Sequence, residues 1–379
     1  MNSALVVVRQ WSNDIKLFLW GRRKMKIGIP KETKTLEGRV ALVPAAAADL
    51  VRTDNEVYIQ SGAGLMSGFS DADYQQVGVK IEPDAESLYG VAEMIVKVKE
   101  PIAGDLKYLR EDHLLFCYLH LAAEPELTQS LLDIGLTGVA FETVEEADGS
   151  LPLLAPMSII AGKIATQVGT STLHHPMGGK GILLGGLPST ERGKVVVLGG
   201  GAAGGNAAAL AAAGGANVVV FDKRQDRLAQ MMAMGSNVTT LYPYQELVAS
   251  EISNADLVIG AVLVTGAKAP HVITEDMVKG MEPGSVIADI SVDQGGCVAT
   301  TRPTTWAEPT FVKHGVVHFS VTNMPGAVPR TSTHAISAAI LPYVQRLTHV
   351  DWPSVPSLQK GINVQGGQIV HPALMDLLD

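Results

Sequence analysis

Between Lys194 and Asp222 the chain runs for 27 residues without a charge, and no other stretch limits its possible folds so tightly. A run of that length and polarity is long enough to cross a bilayer. Its internal order argues otherwise. It holds seven glycines and two asparagines, Asn206 and Asn217, and divides into a Val-rich end, an Ala-rich middle and a second Val-rich end. Short valine blocks suit strands buried on both faces, and alanine is the strongest helix former. The run therefore reads as a buried βαβ unit with a strand over 195–198, a helix over 203–213 and a strand over 218–221.

The turn between the first strand and the helix is Gly199-Gly200-Gly201-Ala202-Ala203-Gly204, which satisfies GxGxxG in the strand-to-helix context that gives this weak motif its meaning. The first glycine makes the tight turn, the second lets a pyrophosphate approach the backbone, and the third lets helix and strand pack closely. Asp222 ends the second strand, 18 residues past Gly204, where a carboxylate meets adenosine ribose hydroxyls and repels a 2'-phosphate. The residues thus point to NAD rather than NADP, with Lys223 and Arg224 pulling the other way, and to a dehydrogenase.

A chain of 379 residues exceeds one compact core, so two domains with a cleft between them are expected. Ahead of the glycine motif the pattern alternates: strand 26–29, helix 45–51, then strands 57–60, 94–98 and 114–119. A long helix at 156–168 links to a second alternating block, with further strands at 257–262, 286–290 and 316–321. Alternation of this kind implies parallel sheets, so the expected fold class is α/β, with two doubly wound domains and long linking helices. A helix at 333–347, interrupted by Pro342, returns the chain, and the last thirty residues are too few for a domain and rejoin the first. The expected division is residues 25–152 plus 331–379 as the substrate and catalytic domain and 153–330 as the Rossmann domain. Residues 1–24 form an extension of no assigned role, with charges that interrupt any signal-like core.

The formal net charge of -9 and the lack of clustered Lys and Arg argue against a nucleic-acid partner. Two cysteines, Cys117 and Cys297, are too few for a disulfide framework and fit a reducing, cytoplasmic setting; neither they nor the histidines show metal-ligand spacing. Cys117 reads as core, whereas Cys297, after two glycines, is open to reactivity.

Candidate chemistry lies at strand ends. His120 follows an apolar strand and faces the crevice where open α/β sheets bind ligands, although such a histidine is more commonly a packed, hydrogen-bonded imidazole. Lys97 and Lys99 share one face of another strand, toward solvent or toward a site. Arg39 can offer a planar fork to a carboxylate or simply lie at the surface. Asp289 and Asp293 flank Ile290-Ser291-Val292 ahead of Gly295-Gly296, and either serves as a site carboxylate or a cap.

Taken together, Gly28-Ile29-Pro30-Lys31-Glu32, Arg39-Val40-Ala41, Lys97-Val98-Lys99-Glu100-Pro101 and Tyr118-Leu119-His120-Leu121-Ala122-Ala123 resemble alanine dehydrogenase. The resemblance continues through Leu153-Leu154-Ala155-Pro156-Met157-Ser158, Gly260-Ala261-Val262-Leu263-Val264, Gly266-Ala267-Lys268-Ala269-Pro270, Asp293-Gln294-Gly295-Gly296-Cys297 and Asn323-Met324-Pro325, covering 25–379. It implies reversible NAD-dependent oxidative deamination of L-alanine to pyruvate and ammonia in a two-domain subunit of a hexamer. It implies further that Arg39 and Lys99 bind substrate and that His120 and Asp293 are catalytic. Gly199, Gly201, Gly204, Asp222, Arg227, Ser158 and Asn323 take cofactor or cleft positions. Gly200 stands where alanine is frequent, and Arg227 where lysine is. The transhydrogenase NAD-binding subunit is similar in fold but lacks the Lys99 and His120 motifs; lysine-forming saccharopine dehydrogenase pairs lysine and histidine, and a non-catalytic NAD sensor would need neither His120 nor Asp293.

Overall fold

The computed structural model describes residues 23–262 and 269–375 in two compact units, one built from residues up to Leu153 and from Pro329 onward, the other from Leu154 to Val328. Most of the N-terminal extension, and the 263–268 part of two family-like motifs, lie outside the described residues.

The first unit opens with β1 (Lys26–Ile29), β2 (Glu56–Gln60), β3 (Lys80–Glu82), β4 (Met94–Val96), β5 (Leu114–Cys117) and β6 (Thr137–Ala140). These pair in parallel in the order β3-β2-β1-β4-β5-β6. All residues of β4 and β5 are buried, which explains why both read as unbroken apolar runs instead of alternating ones. Leu88, Ile95, Leu115, Cys117 and Leu131 share one core cluster of this unit.

The second unit contributes β7 (Lys194–Leu198), β8 (Asn217–Phe221), β9 (Val238–Leu241), β10 (Leu257–Gly260), β11 (Val286–Asp289), β12 (Thr310–Lys313) and β13 (Val316–Phe319), in the order β9-β8-β7-β10-β11-β13-β12. Every pair is parallel except β12–β13. The uncharged run becomes β7, the helix Ala202–Ala213 and β8. Among the described residues, no helix is long and apolar enough to cross a membrane.

Back in the first unit, β14 (Ile362–Gln365) and β15 (Gln368–Ile369) extend the sheet beyond β6 with antiparallel pairing. Both units therefore have parallel centres with antiparallel edges. Each also carries the doubly wound order 3-2-1-4-5-6, with its switch points between β1 and β4 and between β7 and β10. Ligands of such sheets bind outside the carboxyl ends of the strands beside the switch point.

Two long helices open where the chain passes from one unit to the other. Ala155–Thr172 starts with a proline in its first turn and belongs to the second unit; Pro329–Leu347 belongs to the first and runs through Pro342. The latter starts four residues ahead of the sequence expectation, because Pro329 suits an N-terminal turn, where no amide donor is needed. Several strands also stop early. β4 ends at Val96 and β5 at Cys117, two residues short of the expected strands: the Lys97 and Tyr118 amides still donate to the Phe116 and Val98 carbonyls, and the amides that follow, Val98 and Leu119, turn to Glu32 and Glu142.

Candidate active site

In the second unit Gly199 leaves β7 with φ +97, a conformation that side chains resist, and a Cβ there would sit 2.5 Å from the Ala261 carbonyl oxygen. At Gly204 a Cβ would fall 1.8 Å from the Gly199 oxygen, so turn and helix touch backbone to backbone. Gly201 caps the helix Ala202–Ala213, leaving the first-turn amides to face an anion. Asp222, 8% exposed, accepts the Gly200 N–H on Oδ2 at 2.7 Å and the Arg224 N–H on Oδ1 at 2.8 Å. Arg227 Nη1 stands 3.7 Å from the same carboxylate. Gly200, Gly201, Ala202, Asn206 and Arg227 are among the residues lining a cavity of about 300 Å³.

Past β11, Asp293 is exposed in the short helix Ile290–Gln294, and the Asn323 N–H points at its carboxylate from 3.3 Å. Asn323 itself has φ 56. Asp289 is the anchor of this loop and not a second site carboxylate. It is fully buried, accepts the Ser291 and Cys297 amides and the Thr301 hydroxyl, and burial pushes its pKa up. Ser158 is half-buried in the first turn of Ala155–Thr172.

The first unit gathers Arg39, Lys99 and His120 on loops that follow β1, β4 and β5. Arg39 is not a surface residue. It is 2% exposed, and its Nε and Nη2 grip the Glu37 carboxylate, with Nε–Oε1 at 2.7 Å. Burial pulls the guanidinium pKa down and Glu37 more than offsets it. Lys99 Nζ lies 3.5 Å from Glu100 Oε2, and Lys34 bonds the other oxygen of the same carboxylate. Burial pushes the Glu100 carboxyl up, but Lys99, Lys34 and His120 outweigh it and draw its pKa down to about 2.

His120 lies in the left-handed region, φ 51 and ψ 32, with its N–H donated to Glu142 Oε1 at 2.6 Å. Its ring stacks on Tyr118 at 5.7 Å and 7°. Burial raises the Tyr118 pKa against the pull of Arg39, so electrostatics link His120's stacking partner to Arg39, while Glu100 links it to Lys99.

Lys97 departs from the expectation that it shares Lys99's surroundings. It is 1% exposed, 2.8 Å from Asp105 and 3.7 Å from Glu32, a buried ion cluster beneath the site. Glu32 also accepts the Val98 and Lys99 amides. Sequence reasoning missed the anchoring roles of Glu32, Glu37 and Glu142. The one signal for them is a glutamate beside an apolar strand end, which surface glutamates mimic. Cys297 is buried, 3.5 Å from Asp289, with its pKa pushed up by burial, so it is no thiolate nucleophile; Cys117 is buried in β5. His318 is buried against Thr300, and His314 bonds Glu275. Among the described residues no cluster of three or more His, Cys, Asp or Glu is placed to hold a metal ion.

Residues 28–161 match the family described as Alanine dehydrogenase/PNT, N-terminal domain, and residues 165–372 its C-terminal domain. The chain is 48% identical over 356 residues to the alanine dehydrogenase of Geobacillus stearothermophilus, spanning 92% of this chain and 95% of that protein. It is 46% identical over 351 residues to that of Mycobacterium tuberculosis, spanning 91% and 95%. A solved L-alanine dehydrogenase superposes with a TM-score of 0.89 at 46% identity, covering 93% of this chain and 99% of the other. A transhydrogenase from Sinorhizobium meliloti superposes at 0.79 with 24% identity, covering 92% and 99%, a likeness of fold.

Proposed function

The chain belongs to the alanine dehydrogenase/PNT family, and from that premise we propose that it catalyses the reversible NAD-dependent oxidative deamination of L-alanine to pyruvate and ammonia. The observation that carries the reading is close similarity to alanine dehydrogenases over more than nine-tenths of the chain.

The second unit fits a dinucleotide. The cradle at Gly199, Gly201 and Gly204 has no room for a Cβ at Gly204, and it ends on helix amides suited to a pyrophosphate. Asp222 would take the adenosine ribose and disfavour a 2'-phosphate, Arg227 would lie beside it, and Ser158 and Asn323 would complete the site. NAD, when bound, supplies the hydride acceptor.

The remaining chemistry belongs to the chain. Arg39 and Lys99 hold the substrate carboxylate, and their charge favours the anion over its neutral form. Loss of a hydride from the alanine α-carbon and of one proton from its ammonium group leaves an iminium. Water adds to the iminium carbon, and ammonia departs as the carbinol hydroxyl gives up its proton, which leaves with the nitrogen as ammonium. His120 takes a proton from that water at an imidazole nitrogen and returns it to the leaving amine. Asp293 balances the cationic iminium. The sum is alanine, NAD+ and water giving pyruvate, ammonium, NADH and a proton.

Purified protein should reduce NAD with L-alanine and oxidise NADH with pyruvate plus ammonium. His120→Ala should lower turnover by about 10²–10⁴ while NADH still binds. NADH binding with neither activity would leave a nucleotide-binding protein without turnover. The resemblance also implies a homohexamer, and two free, buried cysteines fit the cytoplasm; a light-scattering mass checks the assembly.

A further inference from the structure

The peptide groups on both sides of Arg39 are held by two buried hydroxyls from distant parts of the first unit. Ser67, 1% exposed in the short helix Leu65–Ser67, donates its hydroxyl to the Gly38 carbonyl oxygen at 2.8 Å. Thr333, fully buried in the first turns of Pro329–Leu347, accepts the Val40 N–H on Oγ1 at 3.0 Å. The two hydroxyl oxygens are 2.7 Å apart. Ser67 has one proton and its shortest backbone acceptor is Gly38, with the Pro329 carbonyl farther off at 3.4 Å, so Thr333 is assigned as the donor between the two hydroxyls. The result is a one-directional relay from the Val40 N–H through Thr333 and Ser67 to the Gly38 carbonyl, enclosing Arg39. One helical turn farther on, Ser337 accepts the Val43 N–H at 3.0 Å.

We propose that Ser67 and Thr333 are positioning residues that set the Arg39 guanidinium for the substrate carboxylate. The proposal rests on the reading of Arg39 as the carboxylate ligand. Leu36 lies at φ 60, and Gly38 packs against Met66 so closely that a Cβ would come within 2.9 Å of the Met66 Cβ. Glu37 orients the guanidinium from within the loop, but it moves with the loop. Ser67 and Thr333 tie the same stretch to two other elements, and so define where the Glu37–Arg39 pair stands as a body. A carboxylate grip of fixed geometry contributes equally to ground and transition states, so its misplacement is read in KM more than in kcat.

The test compares Thr333→Val, Thr333→Ser, Ser67→Ala and Arg39→Lys in the full-length enzyme. It measures KM and kcat for pyruvate at saturating NADH and ammonium, the Kd for NADH, and thermal unfolding. Thr333→Val keeps the shape and removes both bonds of the hydroxyl. It should raise the pyruvate KM by about tenfold, the worth of one buried hydrogen bond, with kcat and the NADH Kd held. Thr333→Ser should recover most of that loss. Ser67→Ala should act in the same direction and carries the test if Thr333→Val does not fold. A folded variant with unchanged KM, or equal losses in every parameter, overturns the relay's role. If Arg39→Lys itself leaves the pyruvate KM unchanged, the assignment of Arg39 fails, and the proposal with it.

Discussion

His120 and Asn323 hold backbone conformations that most residues avoid, φ 51 and φ 56, and both stand at proposed site positions. A left-handed non-glycine residue costs on the order of 1–2 kcal/mol and survives where its surroundings over-determine it. At His120 that surrounding is Glu142, which accepts the Leu119 and His120 amides together. At Asp222 the pairing is repeated with Gly200 and Arg224. Asp222→Ala should therefore weaken NADH binding and also shrink the preference for NADH over NADPH by about ten- to hundredfold. Comparison of kcat/KM for the two cofactors checks it, and an unchanged ratio would remove Asp222 from the ribose. Asp222 was legible because motif, strand end and spacing coincide on it. Glu142 was not, because it works from 22 residues away on peptide groups, which leave no trace in residue type.

At the scale of elements, the glycines of the nucleotide unit matter less for flexibility than for clearance. A Cβ on Gly162 would lie 2.1 Å from the Ala203 carbonyl oxygen, so Ala155–Thr172 packs directly on the first turn of the helix proposed to receive the pyrophosphate. Gly162→Val should cost about 1–3 kcal/mol by overpacking and lower NADH affinity as that turn is displaced. Thermal unfolding and an NADH titration measure the two effects; unaltered values of both would mean the contact gives way freely. The helices expected at 45–51, 156–168, 203–213 and 333–347 and the strands beside each switch point were readable from pattern, whereas the helices Pro125–Ile134, Gln225–Met232 and Gln245–Ser253 and the inner strand β6 were not. Their last residues were not. The strands expected at 94–98 and 114–119 continue one residue past the last cross-strand amides, Lys97 and Tyr118, and hydropathy does not register which partner an amide has chosen.

For the molecule as a whole, two parallel sheets followed from the alternation of elements, while the antiparallel edges did not. β15 is two residues long, and so short a segment carries no periodic signal. The buried carboxylates also shape stability against pH. Glu100 falls from an ordinary 4.5 to about 2 on folding, so its contribution is present above pH 4.5 and lost as pH falls toward 2. Glu32, raised by burial, acts oppositely: its share is fully present below its unfolded value and lost as pH rises through the higher folded one. Glu100→Gln should accordingly flatten the acid limb, and denaturant midpoints at several pH values between 5 and 3 check it; parallel curves for the two proteins would refute the assignment. The anchors Glu32, Glu142, Asp222 and Asp289 have a further consequence for redesign. They grip main-chain amides, which every residue except proline carries, so Val98, Leu119, Gly200, Arg224, Ser291 and Cys297 are held through a part that does not change with residue identity. A library aimed at new amino-acid substrates can vary other side chains along these loops, leave out proline, and keep the four acids, Lys99, His120, Asp293 and the glycine turn constant.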